Sequence, residues 1–186
     1  DLDADGMPDL ALLDSRGRLH VYANERSGNF RPWPMEEEIG RLYALAAADI
    51  DMDGKVDLIV LADDRTVHRI SARHDRRGWD VAELGRCGMP IPPAPDRAHL
   101  MVADMDNNGA LDILVTLETE TEVFLGEGPG QFQRLQTRIP MRAFAALDFE
   151  PVLDIRPDLL GLDVENRLET AINASRVRYH AQTGLP

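Results

Sequence analysis

Short apolar segments alternate along the chain with stretches rich in Asp, Gly and Asn. Three apolar runs, LALL, LIVL and ILVTL, each follow an acidic segment, are bounded by turn residues and are rich in branched side chains. Runs this short with this composition predict buried β-strands rather than helices. A polar turn and a second strand-like run follow each one, as in LIVLADDRTVHRISA, so the pattern predicts an all-β chain built from repeated units.

The acidic segments form an internal repeat. They read DLDADGMPD from Asp1, DIDMDGKVD from Asp49 and DMDNNGALD from Asp104, with starts 48 and 55 residues apart. Each copy has Asp at positions 1 and 3, Asp or Asn at 5, Gly at 6 and Asp at 9. A fourth, altered copy begins at Asp148, where the Gly is missing and Asp148 to Asp158 spans ten positions instead of eight. We expect a turn without a metal in that copy.

The repeated loop offers the ligands of a hard cation such as Ca²⁺, which takes about six to eight oxygen ligands. No Cys or His lies in the three loops, which argues against zinc or copper. Position 7 varies freely, as expected if only its backbone carbonyl binds. The predicted ligands, through side chains at positions 1, 3, 5 and 9 and the carbonyl at 7, are Asp1, Asp3, Asp5, Met7 and Asp9 in the first loop, Asp49, Asp51, Asp53, Lys55 and Asp57 in the second, and Asp104, Asp106, Asn108, Ala110 and Asp112 in the third.

An EF-hand is the alternative loop with acids at 1, 3 and 5 and Gly at 6. It needs a bidentate Glu at position 12 and flanking helices. Position 12 is instead Leu12, Val60 and Val115, and strand-like runs follow the loops. The acid at position 9 and these runs disfavour the EF-hand.

The spacing of the repeats predicts the architecture. Four short strands in a unit of roughly 40 to 50 residues are typical of a β-propeller blade. We therefore predict one partial β-propeller over 1–186, made of about four four-stranded antiparallel blades at 1–38, 39–95, 96–139 and 140–186, with the first and last incomplete. The metal loop would join the first and second strands of each blade. Because propellers usually close with four to eight blades, we expect further blades of the same or another chain to complete the ring.

These motifs resemble the FG-GAP/VCBS repeat group, the calcium-loop blades of integrin α-subunit heads and many secreted bacterial proteins. The turns SGNF at 27–30 and GPGQF at 128–132 add to the likeness. The resemblance implies Ca²⁺ at the three loops, with the third weakened by its neutral Asn108. The segment 166–182 is similar to strands that precede an ASPIC/UnbV-type C-terminal module in bacterial propellers.

Charge and composition limit the classes of partner that the chain can bind. The chain of 186 residues has 33 Asp and Glu against 20 Lys and Arg, a net charge of -13, which would repel phosphate backbones and disfavours nucleic-acid binding. No apolar run approaches the roughly 18 residues of a membrane span. A single cysteine, Cys87, leaves the redox compartment open.

The predicted function is that of a binding, adhesion or scaffold module for a protein or glycan ligand, stabilised by about three structural Ca²⁺ ions. Millimolar calcium outside the cell favours an extracellular, periplasmic or cell-surface location. The alternative is a part, or the catalytic face, of a secreted propeller enzyme such as a lyase, hydrolase or quinone-dependent dehydrogenase. The five His residues are scattered without triad or metal spacing, so we predict no catalytic residues and favour the module that is not an enzyme.

Overall fold

A computed structural model describes residues 1–75, 77–93, 98–147, 157–175 and 178–182. Within these ranges the regular structure is entirely β-strand, arranged in four antiparallel sheets. The first sheet contains β1 (Leu10–Leu13), β2 (Leu19–Asn24) and β3 (Phe30–Pro32); the second contains β4 (Leu42–Ala48), β5 (Asp57–Ala62), β6 (Thr66–Ala72) and β7 (Trp79–Arg86); the third contains β8 (Ala98–Ala103), β9 (Asp112–Leu117), β10 (Glu120–Gly128) and β11 (Gln131–Arg134); the fourth contains β12 (Arg142–Leu147), β13 (Asp158–Leu162), β14 (Leu168–Ser175) and β15 (Arg178–Gln182).

Each sheet is a meander in which strands pair in chain order. The first strands of neighbouring sheets, β4, β8 and β12, contact one another in sequence, as the inner strands of propeller blades do. The predicted all-β partial propeller is therefore confirmed, and the four sheets form an unclosed arc. The described residues contain no helix long and apolar enough to cross a membrane.

The two end sheets differ. The first has three strands, and β1 occupies the place that β5 and β9 hold in the next two sheets, so no inner strand pairs with it among the described residues and the first blade is incomplete as predicted. The fourth sheet has four strands, whereas the sequence led us to expect an incomplete last blade. This repeat has lost the loop motif, but its apolar runs still pair as strands.

Strand register shows which residues of the repeats occupy equivalent positions. Ala48 pairs with Asp57, and Ala103 pairs with Asp112, so position 9 is the first residue of the second strand in the second and third sheets. In the fourth sheet Leu147 pairs with Asp158, which therefore holds the same place. The start of the altered fourth loop, Asp148, lies outside the described residues.

The core lies between neighbouring sheets. Alternate residues of β5 point to opposite sides: Leu58 and Val60 pack towards the first sheet, and Ile59 and Leu61 pack towards the third. All six residues of β5 are buried, which explains the continuous apolar run LIVL. A tilted pair of Trp33 and Trp79, with ring centroids 4.5 Å apart, closes the outer part of the interface between the first two sheets.

Apolar side chains are exposed at both ends of the arc. Leu10 and Leu12 are 42% and 38% exposed, whereas their equivalents Leu58 and Val60 are 1% and 0% exposed. At the other end Phe144 in β12 is 45% exposed. Both outer faces therefore have the character of an interior surface that no sheet covers within the described residues.

Candidate metal centres

The three acidic loops occupy equivalent places in the fold. The second loop connects β4 to β5, the third connects β8 to β9, and the first leads into β1. Because β4 and β8 are inner strands, each loop emerges at the same end of its blade. The loops thus lie between the first and second strands, where the sequence placed them.

Carboxylates converge in each loop. In the first two loops the side chains at positions 1, 3 and 5 come together, and in the third Asp112 joins positions 1 and 3. Each side chain in a cluster offers one oxygen within 4.8 Å of the others; the clusters are Asp1, Asp3 and Asp5; Asp49, Asp51 and Asp53; and Asp104, Asp106 and Asp112. Asp9 and Asp57 are not members of their clusters by this distance.

The loop shape is built by its own carboxylates. Asp49 accepts the backbone N–H of Asp53 at 3.0 Å and that of Gly54 at 2.9 Å. Asp53 in turn accepts the N–H of Lys55 at 2.9 Å. The first and third loops repeat each of these bonds within 0.2 Å. The motif therefore orders its backbone through local hydrogen bonds.

Two positions of every loop have left-handed backbone. Gly54 has φ +87°, and an added Cβ would meet no atom within 4 Å, so conformation rather than space requires the glycine there. Position 4 is also left-handed, with φ between 57° and 59° at Ala4, Met52 and Asn107. Sequence reasoning missed position 4, and only Asn107 is of a type that tolerates this region well.

The Asp at position 9 ties the loop to its sheet. Asp112 is fully buried and accepts the N–H of Met105 at 2.6 Å and that of Gly126 at 2.7 Å. Asp9 makes the matching pair of bonds, to the N–H of Leu2 at 2.7 Å and that of Asn24 at 2.9 Å. Both oxygens of each carboxylate thus already have a protein donor, a structural role that the sequence analysis did not identify.

Asp57 varies this arrangement. It accepts the N–H of Ile50 at 3.3 Å, and the Ser71 hydroxyl donates to its other oxygen at 2.5 Å. Because Ser71 lies on β6, this bond also ties the loop to the neighbouring strand. In all three loops the carboxylate at position 9 therefore accepts a second hydrogen bond from a neighbouring strand. The donor is a backbone N–H in the first and third loops and a side-chain hydroxyl in the second.

The electrostatics of the buried carboxylates suit a cation. Burial raises the pKa of Asp112 to about 6, against the lowering effect of its two N–H bonds, and the nearby Asp106 and Asp104 raise it further. Burial also raises the pKa of Asp57. A bound divalent ion would oppose both effects by stabilising the ionised carboxylates. With oxygen as the only donor atom, the clusters fit a hard cation such as Ca²⁺.

The predicted neutral ligand of the third loop has other partners. Asn108 uses its side-chain oxygen to accept the N–H of Ala110 at 2.7 Å, and its amide donates to the carbonyl of Gly126 at 2.8 Å. In the other two loops the N–H of Met7 and that of Lys55 likewise donate to the side chain at position 5. A ligand role for the carbonyls at position 7 stays a prediction.

Two cations lie beside the second loop, and sequence reasoning missed both contacts. Arg69 on β6 forms an ion pair with Asp51. Lys55 lies 3.9 Å from Asp53. The only sequence signal for the first is a charged residue within the strand run TVHRISA.

A separate cavity of about 310 Å³ lies between the first and second sheets. Its wall includes Trp33, Glu37, Arg73 and Arg77. Glu37 lies 3.7 Å from Arg73 through one oxygen, while its Oε2 atom is buried without a hydrogen-bond partner among the described residues. Such an oxygen can accept a hydrogen bond from a bound group.

Residues 1–60, which include the first two loops, match the FG-GAP-like repeat. This part of the chain is an FG-GAP-like repeat. The predicted resemblance to the FG-GAP repeat family is thereby confirmed over residues 1–60, while the link to ASPIC/UnbV-type proteins stays a prediction. A comparison with curated proteins found no match.

A solved structure shares the fold of this chain. It is a lectin from Agrocybe aegerita, described as specifically recognising non-reducing terminal N-acetylglucosamine, with a TM-score of 0.64 and 17% sequence identity. The match covers 100% of this chain and 50% of the lectin chain. At this identity the likeness shows the fold alone, and the chain spans half the length of that protein.

Proposed function

We propose that this chain is a calcium-stabilised propeller segment that acts as an extracellular binding, adhesion or scaffold module. The observation that carries the proposal is the recurrence of one carboxylate cluster at the same place in three successive blades. Three carboxylates held this close repel one another strongly unless a cation neutralises them. The predicted ligands in each loop would hold one Ca²⁺ ion, which would supply charge neutralisation and rigidity.

The ions have a structural role in this proposal. The loops connect strands and are tied to their sheets through Asp9, Asp57 and Asp112. Neutralising the clusters would therefore stabilise the start of the second strand in each blade. Millimolar extracellular calcium fills even weak sites of this kind, which supports a location outside the cell or in the periplasm.

Thermal unfolding with and without a chelator tests the structural role. A single site with free calcium at about 100 times its Kd stabilises the folded chain by about 2.7 kcal/mol. We expect the midpoint to rise by several degrees in millimolar calcium and to fall when a chelator is in excess. Magnesium is the matched control, because its demand for near-octahedral geometry suits these loops poorly. Equal midpoints with and without calcium would remove the proposal.

The partner is a protein or a glycan. The interblade cavity beside Trp33 supports the glycan case, since it combines an aromatic wall, arginines and an unsatisfied carboxylate oxygen on Glu37. The shared fold with a lectin is consistent with this but carries no residue across. Further blades, from the same or another chain, would cover the exposed faces marked by Leu10 and Phe144.

A glycan array probed with the calcium-loaded chain tests the glycan case. Glu37→Ala should weaken any binding that uses the cavity, because it removes the buried acceptor. Glu36 also lines the cavity, but its side chain is exposed. Glu36→Ala therefore serves as the control. Glycan binding that survives Glu37→Ala unchanged would place the ligand elsewhere.

A further inference from the structure

An arginine distinguishes the second loop from the other two. The Arg69 guanidinium contacts the Asp51 carboxylate through Nη1, and both side chains are only about one-fifth exposed, at 21% and 20%. The Nε atom of Arg69 is buried and has no hydrogen-bond partner among the described residues. Arg69 therefore places a partly desolvated positive charge directly on a predicted calcium ligand.

The fold does not require a charge at this position. Strand register pairs Arg69 with Ile59, the eleventh residue of its repeat. The eleventh residues of the first and third repeats pair instead with Val21 and Val123. Both valines are buried, at 4% and 0% exposure, so two other blades fill the same position with an apolar side chain.

We propose that Arg69 is a built-in counter-cation that competes with calcium for the second loop. The second site would then be the last to fill and the first to empty, while the first and third sites hold calcium more tightly. This inference rests on the proposed calcium binding. Without calcium, the guanidinium neutralises part of the cluster of Asp49, Asp51 and Asp53.

The expected size of the effect follows from charge repulsion. A monovalent and a divalent cation roughly 6 Å apart repel enough, even at the dielectric of water, to weaken binding about tenfold. Partial burial of Arg69 strengthens the effect, since the local dielectric is lower. We therefore expect the calcium midpoint of the second loop to lie at least about tenfold above that of the first.

Lys55 provides a matched comparison within the same loop. Its ammonium lies 3.9 Å from Asp53, and its side chain is 36% exposed, so solvent screens its charge more than that of Arg69. The first loop has Met7 at the equivalent position. Lys55→Met therefore removes a charge near the same site with a residue that the repeat already uses.

A calcium titration of the full 186-residue chain, followed by amide NMR, can read each loop separately. The N–H groups of Gly6, Gly54 and Gly109 each donate to the position-1 carboxylate at 2.9 Å, which makes them equivalent reporters. In the unmodified chain we expect the Gly54 midpoint at the highest calcium concentration. Arg69→Val should lower it about tenfold or more and leave the Gly6 midpoint unchanged.

Three further variants separate charge from packing. Arg69→Lys keeps the charge and should behave much like the unmodified chain, while Arg69→Gln removes the charge but keeps most of the side-chain length. Lys55→Met should shift the Gly54 midpoint by less than threefold. Arg167→Val removes an equal charge from an exposed arginine in the β13–β14 turn and should change none of the three midpoints.

The outcomes distinguish this inference from the proposed function. If the Gly6 and Gly109 signals never respond to calcium, the calcium proposal fails and this inference fails with it. If all three loops bind with equal midpoints, or Arg69→Val and Arg69→Gln leave the Gly54 midpoint unchanged, calcium binding stands and the role of Arg69 is overturned. Should Arg69→Val prove unfolded by circular dichroism, Arg69→Gln decides the question.

Discussion

The hydrogen bonds of Asp112 predict that it stabilises the fold even without calcium. Asp112→Ala removes the carboxylate that accepts the N–H groups of Met105 and Gly126 inside a fully buried site. Losing a hydrogen bond of this kind costs about 1–3 kcal/mol, which sets a range of about 2–6 kcal/mol for the two. Relief from burying the carboxylate offsets part of this loss, so we expect the free energy of unfolding to fall by about 2–4 kcal/mol. Asp112→Asn keeps one acceptor and should cost about half as much.

Urea unfolding in excess chelator measures this loss without any contribution from metal. The control is Asp106→Ala, because Asp106 belongs to the same carboxylate cluster but, among the residues that the structure describes, accepts only an exposed N–H, that of Asn108 at 3.2 Å. We expect the control to cost less than about 1 kcal/mol in chelator. If Asp112→Ala also costs less than that, and both variants lose the same calcium-dependent stability, Asp112 acts only as a ligand and our structural interpretation is refuted.

Three further predictions concern the third loop. The pKa of Asp112 is raised to about 6, so as the pH falls this carboxylate is protonated in the folded chain at a higher pH than in the unfolded chain. Its contribution to the free energy of unfolding is therefore fully present below about pH 4 and is lost as the pH rises through 6. In chelator, the stability difference between the unmodified chain and Asp112→Asn should therefore grow from pH 7.5 to pH 5 in urea titrations; a constant difference would contradict this. Gly109→Ala should cost about 1–2 kcal/mol in urea unfolding because φ is +89°, and Gly109→Asn should cost less; equal costs would argue against backbone strain. Gly126→Ala should cost more than Gly109→Ala in the same measurement, since its Cβ would lie 2.5 Å from the Leu111 carbonyl oxygen; a smaller cost would mean that the backbone shifts easily there.

The loop motif was predictable because its geometry is local. The carboxylate of Asp49 reaches N–H groups only four and five residues away, and Gly54 has the positive φ that its place in the motif predicted. The period of the motif likewise predicted repeated blades, since each unit has to bury its apolar strands against the next. The altered fourth copy was recognisable for the same reason, and strand register places Asp158 at its position 9.

The tertiary structure decided which groups meet across strands. Asp112 is clamped by Gly126, fourteen residues away, and Arg69 reaches Asp51 only because β6 pairs with β5 beside the second loop. No local pattern encodes these contacts, because they depend on strand register and on the packing of neighbouring sheets. The sequence by itself determined the loops, their oxygen chemistry and the repeated all-β architecture. Only the tertiary structure showed that position 9 anchors each loop and that an arginine lies beside one of the three carboxylate clusters, since burial and distance arise when separate strands pack together.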